Sequence, residues 1–321
     1  MDRDGQVSNV VLETRVRRAQ VRPLIELADI KLALALPFYL LLALFVPEPR
    51  WQNLCRWIVG HKNSRGDIQL AGAVRAGALS SAQADLIAAE LQAFRLEHYF
   101  QYLREFCPGG WRATLVLDGL EHLEQAIAAG RGAIVWVGHT VFHGLALKKS
   151  VNGAGFRLNH LSRREHGFSK TRFGIAVLNP IRSRIEDRYL RRRIVIERGA
   201  EERAVRAAAR ELAANGIVSI TAGDWEGRQI AHLPLMGGTA SLATGAPALA
   251  HATGAALLPA FVVRQGDTIR VFITSPIGMD RRGARNDQVA AAMIEYVARL
   301  LPVIQDYPGQ WRGWAYLRPQ C

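Results

Sequence analysis

Three cysteines in 321 residues (Cys55, Cys107, Cys321), with no CxxC pair among them, leave nothing from which to build a disulfide framework or a thiolate zinc site. The chain therefore reads as one for a reducing compartment. A GxSxG nucleophile elbow and a GxxxxGK(S/T) loop are both missing, which removes the serine hydrolase and P-loop classes. GAGFRL (153–158) begins like a dinucleotide fingerprint, but Leu158 stands where the third glycine belongs. Internal repeats, low-complexity tracts and a convincing linker are lacking too. Acidic residues are scarce in one stretch: residues 157–193 hold eleven Lys and Arg against three Asp and Glu, so most of the net charge of +13 sits there. Such a stripe suits phosphates, an anionic membrane surface or an acidic protein. Without interleaved aromatic residues or a recognition motif, nucleic acid is not an expected partner.

Apolar residues are plentiful, at 49%. Residues 32–46, LALALPFYLLLALFV, form an uncharged run after Lys31. As a helix it would be about 22 Å long, short of the roughly 30 Å hydrocarbon core, and Pro37 should kink it. Three readings are open: a buried core helix, an interfacial anchor or a span. Arg15, Arg17, Arg18 and Arg22 upstream suit an anchor on an anionic leaflet. Mixed charge ahead of the run and the lack of a small-residue cleavage site argue against a signal peptide. Residues 1–60 are accordingly read as a membrane-associating segment and 61–321 as one α/β domain.

Within that domain the periodicity predicts a helix over 81–106, with Ser81 as N-cap, ended by Pro108-Gly109-Gly110. Strands are predicted at 113–119, 132–138, 157–162, 217–221, 256–263 and 269–274. Helices are predicted at 120–130, 184–190, 200–214, 240–253 and 286–304. Their alternation implies a mostly parallel central sheet flanked by helices.

VWVGHTVFHG (135–144) carries the chemistry. An apolar strand delivers His139 to its carboxyl end, where sites form in open α/β sheets. A neutral imidazole there can take a proton from a hydroxyl attacking an acyl carbonyl. His143 lies one helical turn on, close enough to fix a tautomer or to form a metal pair, although a third metal ligand is not evident and none is expected. Asp224 and Glu226, in AGDWEGR after another predicted strand, are the carboxylates best placed to orient His139. Arg163 and Arg164 are the leading substrate-binding arginines of the basic stretch. Gly237, Gly238 and Thr239 would wrap a phosphate or headgroup at the start of the 240–253 helix.

Four pieces occur in one order: GLEHLEQAIAAGRGAIVWVGH, GIVSITAGDWEG, LPLMGGTASLATGAPALAHATGAALLPAFVVR and YPGQWRGWAYLR. From about residue 111 to 318 they resemble the lysophospholipid acyltransferase superfamily, with its lipid A biosynthesis (lauroyl and myristoyl) acyltransferases as the most similar branch. The resemblance implies transfer of a fatty acyl chain from an acyl carrier protein or CoA thioester to a hydroxyl or amine of a membrane lipid or glycolipid. It implies His139 as general base, no cofactor, and a site on the cytoplasmic face of a bacterial inner membrane. The family pattern His-x4-Asp/Glu is broken here, because Gly144 occupies the acidic position. The literal match His160 to Glu165 lies later, in the arginine-rich stretch. Gly144 leaves a second expectation, a lipid- or acyl-binding protein whose catalysis is impaired.

Overall fold

A computed structural model describes residues 10–14, 22–60, 70–223 and 227–319. Eleven strands and ten α-helices are assigned among them. The strands are β1 (Val11–Thr14), β2 (Thr114–Asp118), β3 (Ala133–Val137), β4 (Leu158–Arg163), β5 (Leu190–Ile196), β6 (Ile217–Thr221), β7 (Gln229–Leu235), β8 (Gly238–Ala243), β9 (Ala256–Gln265), β10 (Thr268–Ile273) and β11 (Leu317–Pro319). The helices are α1 (Leu27–Phe45), α2 (Trp51–Gly60), α3 (Ala71–Arg75), α4 (Ser81–Phe106), α5 (Leu120–Ala128), α6 (Leu145–Gly153), α7 (Asn179–Asp187), α8 (Glu201–Ala213), α9 (Gly245–Thr253) and α10 (Arg285–Asp306).

The central sheet has the order β2-β10-β9-β3-β6-β4-β5, and only the β9–β10 hairpin pairs antiparallel. The expected α/β architecture with a mostly parallel sheet is therefore present. β3 lies in the middle and is buried at all five positions, since both its faces are covered. Ile134 and Trp136 join a core with α8, α9, α10 and the second sheet. Ala133, Val135 and Val137 face a core built with α1, α2, α4 and α6. Full burial of a side chain such as Val or Ile contributes about 1.5–3 kcal/mol, so β3 is firmly anchored just before the site.

Most elements fall where periodicity puts them, with corrections. The N-cap of α4 is Ser80, whose hydroxyl accepts from Gln83 N while the Gln83 side chain returns the bond. α7 starts at Asn179-Pro180 and ends at Asp187, so 184–190 is not one helix: Leu190 already opens β5. β5 is an edge strand whose exposed Arg191 and Arg192 suit an edge. The predicted helix 240–253 divides into β8 and α9. Met236 and Gly237 both take positive φ (50° and 75°) and turn β7 back into β8, a hairpin whose pairing overrides the helix propensity of Ala and Leu. Together with β1 and β11 this hairpin makes a separate antiparallel sheet, order β1-β7-β8-β11, which the sequence reading did not anticipate.

The hydrophobic run belongs to a helix that starts earlier, at Leu27, and continues through Pro37. Nineteen residues span about 28 Å. α1 packs along α4, burying Leu36 and Ala43. Asp29 is buried as well, accepting from the Thr171 hydroxyl at 2.7 Å. On the other side Leu27, Ile30, Leu34, Phe38, Leu41 and Phe45 recur at helical spacing and are exposed, Leu34 at 76%. A buried core helix is thus excluded, because most of this helix is not buried.

Candidate active site

β3 ends at Val137 and Gly138 turns the chain. A Cβ at 138 would stand 2.6 Å from the Phe261 ring, so only glycine fits where the backbone crosses β9. Gly138 N donates to Ala260 O at 2.7 Å. The loop that follows is laid against the carboxyl-terminal segment: Thr140 and Trp311 form an antiparallel bridge, Val141 N donates to Gln310 O, and Arg312 N donates to His139 O, both at 2.8 Å. Gln310 is itself clamped to the Arg264 backbone on β9 by two bonds. His139 is thereby held between the centre of the sheet and the end of the chain.

Among the described residues, a tyrosine hydrogen-bonds His139. Tyr316 Oη lies 2.9 Å from His139 Nδ1, and the two rings are nearly parallel, 17° apart. His143 stands edge-on to His139, with ring centroids 5.4 Å apart. Its Nδ1–H donates to Thr140 O at 2.5 Å, which fixes the tautomer that leaves Nε2 as acceptor. Burial holds the pKa of both imidazoles well below the ordinary histidine value; Arg312, His143, Arg182 and Arg95 add to this at His139. Both rings are neutral at pH 7, as a proton acceptor must be.

Polar atoms without partners gather around this pair. Among the described residues, neither ring nitrogen of His98, nor Thr140 Oγ1, nor Arg312 Nε has a hydrogen-bond partner, and all these atoms are buried. Each such group costs about 1–3 kcal/mol when left unsatisfied. An arrangement carrying several at one place is built for something other than stability.

Gly144 opens α6, and the space beside it is full. A Cβ there would stand 2.7 Å from Arg182 Nη2, 2.7 Å from Tyr102 Oη and 3.2 Å from Glu186 Oε1. Glu186, on α7 and fully buried, binds Tyr102 Oη (2.5 Å), Arg182 Nε (2.9 Å), His166 Nε2 (2.8 Å), Arg193 Nη2 (3.0 Å) and Lys148 Nζ (3.2 Å). Burial would raise its pKa, but His166, Lys148 and Arg182 together hold it well below the usual carboxylate range. His160, His166 and Glu186 bring three potential ligand atoms within 4.8 Å of one another. The donor set does not suit a divalent cation, because three cationic side chains already occupy Glu186 and His160 Nδ1 is bonded to the Ser219 hydroxyl.

The expected site residues divide accordingly. His139 and His143 come together. Asp224 and Glu226 lie outside the described residues, although β6, which leads toward them, pairs with β3, with Thr221 opposite Val137. Arg163 ends β4 and Arg164 is exposed in the turn beyond; β6 separates their strand from β3. Gly237, Gly238 and Thr239 do not start a helix: they form the β7–β8 turn and its first pairs, beside β11. Sequence reasoning missed Tyr316 and Arg312, although both lie in the YPGQWRGWAYLR stretch quoted for the resemblance. No spacing rule links residues 177 positions apart.

These features define an α/β protein with a neutral histidine pair at the carboxyl end of its central strand. No protein-family model matches the chain, and no curated protein matches it. Among solved structures it is similar to the 1-acyl-sn-glycerophosphate (LPA) acyltransferase PlsC from Thermotoga maritima. That match has 14% identity and a TM-score of 0.40, and covers 86% of this chain and 97% of that one. At that degree of likeness the chemistry has to come from the site itself.

Proposed function

We propose that the protein is an acyltransferase. In this reading it moves a fatty acyl chain from an acyl carrier protein or CoA thioester to a hydroxyl or amine of a membrane lipid or glycolipid. The observation that carries the reading is the neutral His139, held through Nδ1 by Tyr316 at the end of the central strand. In the working tautomer Nδ1–H donates to the phenol oxygen and Nε2 keeps its lone pair. Nε2 takes the acceptor proton as the acceptor oxygen or nitrogen attacks the thioester carbonyl carbon. The tetrahedral intermediate then expels the thiolate, breaking the C–S bond, and the imidazolium returns the proton to sulfur. Among the described residues the phenol is the orienting group in this reading, and Asp224 or Glu226 is proposed to support the base beside it. The His-x4-Asp/Glu spacing and the lipid A branch belong to the sequence resemblance alone.

The exposed stripe of α1 supports a membrane-bound acceptor. Because α1 lies along α4, it would meet the bilayer with that face, in the interfacial plane. Thioester donors are cytosolic, which puts the site on the cytoplasmic face of a bacterial inner membrane. Gly144 favours a second reading, an acyl-binding protein with impaired catalysis, since no acid stands at that position. Radiolabelled acyl transfer from thioester donors to membrane lipid extract, comparing wild type with His139→Ala, separates the two. Turnover abolished by the substitution supports the enzyme, whereas a wild type that binds acyl chains and never turns over supports the binding protein.

A further inference from the structure

A cavity of about 280 Å³ opens where α1 ends, between residues 43–47 and the end of α4 with the loop that follows it. Its two walls differ in chemistry. One is the apolar end of α1, including Leu44 and Phe45; the other carries Arg104 and Arg112. Phe45 is 79% exposed, so the apolar wall continues the exposed stripe of α1. The two guanidiniums converge over Gly109: a Cβ there would stand 3.4 Å from Arg112 Nη2 and 3.7 Å from Arg104 Nη2. Each gives a hydrogen bond to the loop backbone, Arg104 Nη1 to Pro108 O at 3.1 Å and Arg112 Nε to Gly109 O at 3.3 Å. Most of the N–H groups of both forks remain. The neighbouring carboxylates are engaged elsewhere. Glu48 accepts from Trp111 Nε1 at 2.8 Å, and Glu105 accepts from Lys149, Tyr189 and the Trp111 backbone. Among the described residues neither Arg104 nor Arg112 has a carboxylate within ion-pair distance. Arg104, in the last turn of α4, suits that helix's dipole. Arg112 lies beyond the helix and has no such reason to join it.

We propose that this corner binds an anionic phospholipid of the bilayer, its phosphodiester held by Arg104 and Arg112 and its chains laid along Leu44 and Phe45. Two guanidinium forks match an anion whose oxygens can accept from both at once. The apolar wall makes a lipid the fitting source of that phosphate, because a free ion gains nothing from Phe45. The site stands apart from His139. Arg112 leads into β2 at the edge of the central sheet, and β10 and β9 separate β2 from β3. The lipid held here is therefore a tether and not a reactant. It fixes the carboxyl end of α1 at the headgroup level and so sets how the helix lies on the membrane. The inference goes beyond acyl transfer and rests on the interfacial placement of α1 alone.

The test is vesicle flotation of the full chain at constant ionic strength, on phosphatidylcholine alone and on equal parts phosphatidylcholine and phosphatidylglycerol. Wild type should prefer the mixed vesicles. Arg104→Gln with Arg112→Gln should lower that preference at least about tenfold and leave binding to phosphatidylcholine unchanged. Arg203→Gln with Arg210→Gln removes the same charge from α8, on the other face of the sheet, and should keep most of the preference. Equal losses in the two double variants mean that bulk charge acts and overturn the site. Inorganic phosphate that abolishes the preference overturns the lipid as its occupant. If the first variant does not fold, Arg112→Glu reverses one charge at an exposed position; an unchanged preference in it counts against the site. Electron spin resonance of spin-labelled phosphatidylglycerol in detergent micelles gives a separate reading, an immobilised component that the Arg104 and Arg112 changes should remove. A protein that floats on neither vesicle yet immobilises this lipid keeps the site and loses the interfacial placement of α1. One that floats equally on both vesicles and immobilises none does the reverse.

Discussion

Glu186 Oε1 stands 3.2 Å from where a Cβ of Gly144 would be, so a carboxylate from α7 fills the space beside the position at which the His-x4-Asp/Glu pattern has its acid. That carboxylate is bound to Tyr102, Arg182, His166, Arg193 and Lys148, and none of its bonds goes to His139.

Restoring the pattern should therefore harm the protein. Gly144→Glu forces a side chain against Arg182 and Tyr102 and places a second carboxylate beside Glu186. The expected loss is about 2–4 kcal/mol of stability with no gain in acyl transfer. Urea denaturation of the variant checks the first part and the thioester assay the second. Glu186→Gln should cost about 3–5 kcal/mol, because it strands buried Lys148 and Arg182.

Tyr316→Phe isolates the orienting bond. The ring and its packing on His139 stay, while the hydroxyl at 2.9 Å is lost. If the phenol orients the base, kcat should fall about 10- to 100-fold with KM nearly unchanged. Equal losses in binding would assign Tyr316 to the substrate instead. His160→Ala should leave chemistry alone and lower stability, since its ring is buried against Ser219.

The buried histidines set an acid limit. His98, His139, His143 and His160 all have pKa values held well below 6.5, first by burial, and His166 is lowered to about 4 for the same leading reason. Above about pH 6.5 these residues are neutral both folded and unfolded, so they contribute no pH dependence. Below it the unfolded chain binds protons that the folded chain refuses. Each histidine then removes about 1.4 kcal/mol per pH unit until its folded pKa is reached. Urea midpoints should hold steady from pH 8 to 7 and fall steeply from about 6 to 5. His160→Gln should soften that fall.

Membrane attachment should follow the exposed face of α1. Leu34→Asp with Phe38→Asp places charge on the stripe away from α4, leaving Leu36 and Ala43 in the core. Vesicle flotation should drop at least about tenfold while the near-ultraviolet dichroism persists. The reciprocal change, Leu36→Asp, should unfold the region instead of merely releasing it.

The sequence by itself determined the elements that local periodicity can specify. The apolar AIVWV stretch could only be a strand covered on both faces, Gly138 let the chain turn, and His139 followed at the end where α/β sheets keep their sites. Alternating strands and helices were enough for a mostly parallel sheet. Tertiary structure decided what depends on distant segments meeting. The β7–β8 hairpin cuts the predicted 240–253 helix because strand pairing outweighs the propensity of Ala and Leu. α1 keeps one face for α4 and leaves the other bare, a distinction that a uniformly apolar run conceals. Above all, Tyr316 and Arg312, among the last ten residues described, reach His139 because the segment around Trp311 pairs with Thr140. Hydrogen bonds act over about 3 Å of space and carry no trace of separation along the chain. That Tyr316 stands against His139 could be seen only once the chain had folded.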